Sequence, residues 1–299
     1  MGENKEKVTD HPVIYRFICW MQKLIRKIRR NLTQAEIELN FLRYKLLFGE
    51  RDDDIYIVTF PKSGTTLMQM LLYQLTTAGS MHFKHIYDVS PWIRNEAYRG
   101  KSPRELTSPR LIKSHDGYDK FDRATKGRFI YVYRNPMDVA VSLYNQRISY
   151  GLPKLDFQKF LDHFIHGSKM NWFSFNRKWF ENRHKFNILY ISYEELLEDF
   201  DSALGRIAGF LDINYKTSDK DRIAAHCNFD FMKQHEEKFG VQPPEKPPMV
   251  FDQFIRKGKT GEGRRSIPPE LQQVFVKQYR EKVRPFEQKR ANRLIESYF

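Results

Sequence analysis

The chain has 299 residues, a formal net charge of +14, 40% hydrophobic and 15% aromatic residues. This length allows one large domain or two small ones with a substantial core, and the aromatic content argues against a wholly disordered chain. The two cysteines, Cys19 and Cys227, cannot build a disulfide framework, and no CxxC or Cys/His cluster indicates zinc. We therefore expect a reducing compartment and no metal.

Neither a membrane span nor a signal peptide is predicted. No apolar run approaches the roughly 18–20 residues that cross a bilayer, and charges interrupt the apolar residues near the N-terminus. We expect a soluble, cytoplasmic protein. The positive excess indicates an anionic partner, which composition alone leaves open among nucleic acid, a phosphorylated cofactor and anionic lipid.

The first predicted element is a cationic amphipathic helix over residues 10–30, with Pro12 in its first turn. One face is apolar: Ile14, Phe17, Ile18, Met21, Leu24, Ile25 and Ile28. The other face carries cations only: Arg16, Lys23, Arg26, Lys27, Arg29 and Arg30. Either the apolar face packs on the domain, or residues 12–30 form a peripheral contact with an anionic membrane. We predict a basic helical extension over 1–35, followed by one domain over 36–299.

Alternating strands and helices follow this extension. Residues 34–49 are typical of a second helix, and residues 67–79 and the segment after 134 are typical of others. Four apolar, β-rich runs predict strands: 55–60, 110–115, 128–134 and 186–193. This alternation predicts an α/β fold, a single domain with a mostly parallel central sheet flanked by helices.

A Pro-, Gly- and cation-rich stretch from about 240 to 270 predicts a long loop. Helix is expected to return from about residue 270 to the C-terminus.

The segment PKSGTT (61–66) links the first predicted strand to a helix. The first N–H groups of such a helix have no partners within it, and the positive end of the helix dipole lies there. Lys62 adds a charge, and Ser63, Thr65 and Thr66 add hydroxyls around Gly64. This P-loop-like strand–loop–helix is suited to a phosphate or sulfate. It is no Walker A loop, because Lys62 precedes the only glycine.

This segment resembles the phosphosulfate loop of the cytosolic-type sulfotransferases, which use 3′-phosphoadenosine-5′-phosphosulfate (PAPS). YVYRNPMDVAVSLYN (131–145) resembles the family's second signature, which implies that Arg134 and Ser142 hold the cofactor's 3′-phosphate. A planar guanidinium suits a doubly charged phosphate. IRKGKTGEGRR (255–265) resembles the loop that closes over the same phosphate, and its matching residues are Arg256, Lys257 and Gly258.

The catalytic candidates lie at the end of the second predicted strand. Lys113-Ser114-His115 resembles the family's lysine-threonine-histidine motif, in which the histidine is the general base. Transfer to a hydroxyl requires the hydroxyl proton to leave, and histidine is suited to accept it near neutral pH. Lys62 is expected to neutralise charge on the leaving phosphate, and Lys113 to hold the sulfuryl oxygens or the acceptor.

Further matches extend the resemblance from about residue 35 to 285. Tyr193 corresponds to a tyrosine that contacts adenine. The segment 227–233 resembles one that runs past the adenosine, and its candidate cofactor residues are Cys227, Asn228, Phe229 and Met232. Leu67 stands where the family usually has a tryptophan stacked on adenine. Glu262, Gly263 and Arg264 replace an Asp-Trp-Lys sequence. The family's short C-terminal dimerisation signature is missing, which predicts a monomer or a non-standard dimer.

The sequence therefore predicts a sulfotransferase that moves a sulfuryl group from PAPS to a hydroxyl by in-line transfer, with His115 as base. The alternatives are a nucleic-acid-binding protein and a P-loop nucleotide kinase. No binding module with interleaved aromatics is visible, so we expect no nucleic acid. Side chains in three segments are expected to line the acceptor site: Met81, His82, Phe83, Tyr87, Trp92, Tyr144, Tyr150 and Phe239. They favour a hydrophobic alcohol, phenol, sterol or lipid.

Overall fold

The computed structural model describes residues 12–77, 79, 81–121, 125–152, 155–167, 171–240 and 254–287. Its strands are β1 (Ile55–Thr59), β2 (Leu111–Ser114), β3 (Arg128–Tyr133) and β4 (Ile188–Ser192). Its helices are α1 (Pro12–Phe48), α2 (Thr65–Thr76), α3 (Ile93–Tyr98), α4 (Pro136–Ser149), α5 (Phe157–His166), α6 (Trp172–Glu181), α7 (Tyr193–Glu198), α8 (Phe200–Phe210), α9 (Thr217–Cys227), α10 (Phe229–Gln234), α11 (Glu262–Ser266) and α12 (Pro269–Lys282).

The four strands form one parallel sheet in the order β2-β1-β3-β4. The predicted strands are present, and the α/β fold with a parallel sheet flanked by helices is confirmed. Every residue of β1 and β2 is buried, as expected for parallel strands covered on both faces. Since the strands are parallel, their carboxyl ends meet at one edge of the sheet, where ligands bind in folds of this kind.

Successive side chains of β3 pack into the layers on opposite faces of the sheet. Ile130 and Val132 join the aliphatic core formed with α2 and α8. Tyr131 faces the other way, 5.3 Å between ring centroids from Trp179 of α6 and 5.2 Å from Tyr190 of β4. This period of two is the geometry of a strand, and it explains why the runs were apolar without interruption.

Helix α1 forms a separate compact unit together with residues 93–104. Tyr44 donates a 2.6 Å hydrogen bond to Glu96 of α3, and the Arg94 guanidinium lies 4.0 Å from the Phe41 ring centroid. The predicted division into two helices, 10–30 and 34–49, is wrong. Residues 31–33 contain neither proline nor glycine, so nothing in the backbone stops the helix there.

The structure bears in part on the predicted long loop and on the predicted lack of a membrane span. Part of the predicted long loop, residues 241–253, lies outside the described residues, and its C-terminal part contains the short helix α11. No helix within the described ranges is both long and apolar enough to cross a bilayer. The domain boundary at residue 35 stays a prediction.

Candidate active site

The carboxyl edge of the sheet gathers one predicted site residue from each strand. Lys62 follows β1, His115 follows β2, Arg134 follows β3 and Tyr193 follows β4. All four line a cavity of about 370 Å³. Residues far apart in the sequence therefore converge because parallel strands end together.

The β1–α2 loop turns sharply at Lys62 and Gly64. Lys62 has a φ of 69° and Gly64 a φ of 96°, the left-handed region that favours glycine. A Cβ at Gly64 would lie 2.5 Å from Cδ2 of Tyr193, so only glycine fits against this ring. The turn leads Thr65, Thr66 and Leu67 into the cavity wall at the start of α2. It presents the helix N-terminus, an anion site, to the cavity.

Two members of the predicted cofactor set do not line the cavity. Ser63 belongs to the loop itself and is fully buried. Asn228 uses its side-chain oxygen to accept a 2.8 Å hydrogen bond from the backbone N–H of Asp230, which caps α10. Asparagine is a preferred N-cap residue, and this local role competes with a ligand contact.

Cations crowd around Lys62. Burial, together with the positive charges of Arg134, Lys113 and Arg256, lowers the pKa of Lys62 to about 8. Its ammonium lies 4.9 Å from the centroid of the Phe254 ring, also a cavity residue. Positive charges gathered around one buried ammonium repel one another unless an anion lies between them. The site is therefore built for a highly charged anion.

Arg134 joins the two phosphate-loop segments. Its guanidinium donates to the backbone carbonyls of Lys62, at 3.3 Å, and of Lys259, at 2.9 Å. It also lies 4.3 Å from the centroid of the Tyr193 ring and 3.5 Å from the Asp138 carboxylate. Lysine could not make this set of planar contacts. Ser142, on α4, lines the same cavity.

Asp138 fixes the closing loop onto α4. Its two carboxylate oxygens accept hydrogen bonds from the backbone N–H groups of Gly261, at 2.9 Å, and Gly263, at 2.6 Å. A Cβ at Gly263 would lie 2.5 Å from the Met137 carbonyl carbon. Glycine therefore replaces the family's tryptophan at a point where two backbones touch.

Arg256 and Lys257 share one carboxylate. Both donate to Glu262, Arg256 through two nitrogens and Lys257 at 2.7 Å. These hydrogen bonds hold the pKa of Glu262 at about 2, far below its usual value. Gly258 turns between them with a φ of 58°, and a Cβ there would collide with the Phe229 ring. The cations that are expected to hold the 3′-phosphate are thus already gathered at one place.

The hydrogen bond of His115 defines its tautomer. Its Nδ1 lies 2.9 Å from the backbone carbonyl oxygen of Thr59, which can only accept, so Nδ1 carries the proton. The Nε2 atom then carries the free lone pair. Burial, with Lys113 and Lys62 nearby, lowers the pKa of His115 to about 3. The imidazole is therefore neutral and able to accept a proton.

Lys113 lies in an aromatic cage. Its ammonium donates a 2.7 Å hydrogen bond to the Tyr87 hydroxyl and lies 4.7 Å from the ring centroids of both Tyr87 and Trp92. Burial lowers the pKa of Lys113 to about 7. The cation–π contacts favour its charged form, while burial opposes it.

The remaining predicted cofactor residues also line the cavity: Leu67, Tyr193, Cys227, Phe229 and Met232. Of the predicted acceptor residues, only Tyr87, Trp92 and Tyr150 line it. Phe83 and Phe239 are core residues, and Tyr144 packs 4.7 Å from Phe157 between ring centroids. Aromatic residues of the core and of a pocket look the same in a sequence.

Several cavity residues were missed by the sequence reasoning: Gln146, Leu197, Phe254 and Glu262. Gln146 donates a 2.5 Å hydrogen bond to the hydroxyl of Tyr150, four residues along α4. The sequence offered one sign that Glu262 belongs to the site: it is the acid within a strongly basic loop. Asp138 had a signal too, since an acid in the first turn of a helix is favourable.

The donor set fits PAPS. The lysines and arginines that line the cavity, a helix N-terminus and hydroxyls suit the phosphates and the sulfate. The nearby acids, Asp138 and Glu262, are both engaged by arginine, lysine or backbone N–H groups. Aromatic and apolar side chains beside them suit an adenine ring.

Comparisons with known proteins point to one family. A family model described as a sulfotransferase domain matches residues 52–287. Human sulfotransferase 2B1 is 32% identical over 249 residues, covering 78% of this chain and 67% of that protein. Rabbit (Oryctolagus cuniculus) amine sulfotransferase is 28% identical over 286 residues, covering 87% and 92%.

Solved structures show the same similarity. Mouse sulfotransferase SULT7A1 complexed with PAP superimposes with a TM-score of 0.64 at 25% identity, covering 88% of this chain and 94% of that one. A retinol dehydratase in complex with androsterone and the inactive cofactor PAP shares the fold, with a TM-score of 0.67 at 20% identity, covering 85% and 87%. The chain therefore belongs to the sulfotransferase family, in its cytosolic type, and is a PAPS-dependent enzyme.

Proposed function

We propose that the enzyme transfers the sulfuryl group to the hydroxyl of a hydrophobic small molecule, with His115 as general base. The observation that carries this proposal is the hydrogen bond from His115 Nδ1 to the Thr59 carbonyl at 2.9 Å. It orients the imidazole and leaves Nε2 as the proton acceptor in the cavity. A positioned base of this kind typically contributes about 100- to 10,000-fold to a rate.

The chain's own residues divide the remaining work. PAPS, when bound, supplies the activated sulfuryl group. The β1–α2 loop from Lys62 to Thr66 would hold its 5′-phosphosulfate end, and Arg134, Ser142, Arg256, Lys257 and Gly258 would hold its 3′-phosphate. Lys62 places positive charge where negative charge develops on the leaving phosphate. His115 Nε2 takes the hydroxyl proton as the acceptor oxygen becomes nucleophilic, and Lys113 orients that oxygen.

The lining of the cavity supports an apolar acceptor. Tyr87 and Trp92 pack against Lys113, and Tyr150 and Phe254 line the same cavity. A hydrophobic alcohol, phenol, sterol or lipid would present one hydroxyl to His115 and bury its carbon skeleton against these rings. Guinea pig (Cavia porcellus) 3-beta-hydroxysteroid sulfotransferase, 30% identical over 247 residues, bears a name that points the same way.

Binding and turnover test this proposal separately. Adenosine 3′,5′-bisphosphate (PAP) should raise the melting temperature, and labelled PAPS should transfer its label in a screen of phenols, sterols, carbohydrates and lipid alcohols. His115→Ala should abolish transfer while keeping the PAP-induced shift. Undetectable PAP binding at millimolar concentration, or magnesium-dependent ATP hydrolysis in place of transfer, would refute the proposal.

We also infer a cytoplasmic enzyme without a metal or nucleic-acid partner. A peripheral membrane contact through residues 12–30 stays a prediction for α1. The six cations and the exposed apolar side chains of this segment support it, including Phe17 at 59% and Trp20 at 55% exposure. Unchanged pelleting with anionic vesicles after deletion of residues 1–30 would remove that support.

A further inference from the structure

The apolar side chains of α1 follow a heptad repeat along almost the whole helix. They recur in alternating steps of four and three residues: Ile14, Ile18, Met21, Ile25, Ile28, Leu32, Ala35, Leu39, Leu42 and Leu46. We name this row the α1 seam. Such a repeat, sustained for more than about four heptads, is typical of coiled coils, in which two positions per heptad pack against a partner helix.

The α1 seam is exposed at every position except Met21, which is partly buried. Ile25 is 57% exposed, Leu32 67% and Leu46 75%. Another flank of α1, around Phe41 and Tyr44, makes the contacts with α3. The seam is therefore a second, separate apolar surface of the same helix, and an apolar surface of this extent indicates an interaction site.

The seam also presents the sockets that a coiled coil needs. A shallow groove on α1 includes Ile25, Ile28, Arg29 and Leu32 in its lining. These residues stand at positions i, i+3, i+4 and i+7, the four corners of a hole that accepts a side chain from a facing helix. Such holes follow from the heptad spacing and repeat along the helix.

The period of the seam favours a helix over a flat lipid surface. A stripe parallel to the axis of an α-helix recurs every 3.6 residues, whereas the α1 seam recurs every 3.5 and drifts by about 20° per heptad. Over the whole seam this drift approaches a quarter turn. A second helix with the same drift can follow it by supercoiling, whereas a planar bilayer would meet the whole length of the seam less evenly. Glu36 and Glu38 beside the seam would also be repelled by an anionic surface.

The cations of α1 do not oppose self-pairing. With Ile18 and Ile25 at the first seam position of their heptads, all but one of the six occupy outward positions: Arg16, Lys23, Arg26, Lys27 and Arg30. Only Arg29 borders the seam. Like charges on two copies would therefore point away from each other into solvent, where salt screens them.

We propose that α1 pairs with α1 of a second copy of this chain as a two-stranded coiled coil. The two copies present the same surface to each other, as in most dimers. This pairing does not depend on the short C-terminal dimerisation signature that the sequence lacks. It is also independent of the proposed acceptor and of the catalytic roles.

Sedimentation velocity of the full-length chain over a concentration series tests the proposal. The wild type should reach twice the monomer mass of 36.0 kDa. Leu32→Lys combined with Ile25→Lys should sediment as a monomer, since it places charges in the seam. Leu47→Lys is the matched control: Leu47 is 63% exposed on the same helix but lies off the seam, so this variant should remain a dimer.

Three other outcomes overturn the proposal, and a thermal-shift measurement serves as the folding control. A wild type that stays monomeric at every concentration, or a dimer that survives the double seam substitution, refutes pairing through α1. A monomeric wild type that pellets with phosphatidylserine vesicles and loses pelleting in the seam variant identifies a membrane as the partner instead. A PAP-induced thermal shift equal in all variants shows that the sheet-bearing unit is folded in each.

Discussion

Replacing His115 with glutamine should change both turnover and the response of stability to acid. Glutamine can still donate to the Thr59 carbonyl, so the local hydrogen bond is retained. It cannot accept a proton, so sulfuryl transfer should slow by about 100- to 10,000-fold. The same substitution removes a group that must stay neutral in the folded enzyme, and this gives a second readout that needs no acceptor.

The size of the stability effect follows from the pKa of His115. Burial lowers that pKa from 6.5 to about 3 in the folded chain. Between these values the unfolded chain binds the proton and the folded chain does not, so the free energy of unfolding falls as the pH drops below 6.5. At about pH 5 the loss is at most about 2 kcal/mol, from roughly 1.5 pK units at 1.36 kcal/mol each. That corresponds to about 4 °C in melting temperature.

Thermal unfolding of the full chain at neutral and mildly acidic pH checks this expectation. The wild type should lose more stability than His115→Gln by the amount above, while His184→Gln, which changes an exposed imidazole, should behave as the wild type does. All other histidines contribute equally to the three proteins. If the wild type and His115→Gln lost equal stability, or if His115→Gln kept turnover within tenfold, a neutral buried base at this position would be refuted.

Three further expectations follow from the site. Gly258→Ala should lower both melting temperature and PAP affinity, because the new Cβ would collide with Phe229, whereas Gly49→Ala has a similar φ of 57° and open space and should cost stability only. Tyr87→Phe removes the hydroxyl that accepts from Lys113, so the pKa of Lys113 should fall further and the corresponding limb of the kcat–pH profile should move to lower pH. PAP affinity, measured by calorimetry, should fall as the salt concentration rises, since cations dominate the site. Each expectation can be contradicted: by equal effects of Gly258→Ala and Gly49→Ala on PAP affinity, by an unchanged kcat–pH profile in Tyr87→Phe, or by a PAP affinity that does not depend on salt.

The parts of the site that the sequence predicted are local. Buried apolar runs marked the four strands, and the residues just beyond them, including Lys62, His115 and Arg134, converge because parallel strands end at one edge. The motif order then separated these residues from ordinary solvated side chains. Asn228 lies off the cavity because an amide side chain serves a helix cap as readily as a ligand, whereas Ser63 is buried within its loop. The ligand roles of both residues stay predictions.

The parts that the sequence could not predict depend on distant partners. The tautomer of His115 is set by Thr59, 56 positions away, and the anchoring of Gly263 by Asp138, 125 positions away. Neither pairing has a local pattern. The continuity of α1 was missed for the opposite reason, because Arg29 and Arg30 followed by Asn31 imitate a helix end without breaking the backbone.

The crowding of cations around Lys62 has a consequence for the life of the enzyme in the cell. The chain folds against the repulsion of Lys62, Lys113, Arg134 and Arg256, and a bound nucleotide relieves it. Ligands that bind only the folded state stabilise it in proportion to the logarithm of their concentration. The supply of nucleotide therefore governs how often the chain opens to proteases, so starvation for the sulfuryl donor would shorten the enzyme's half-life as well as halt its turnover.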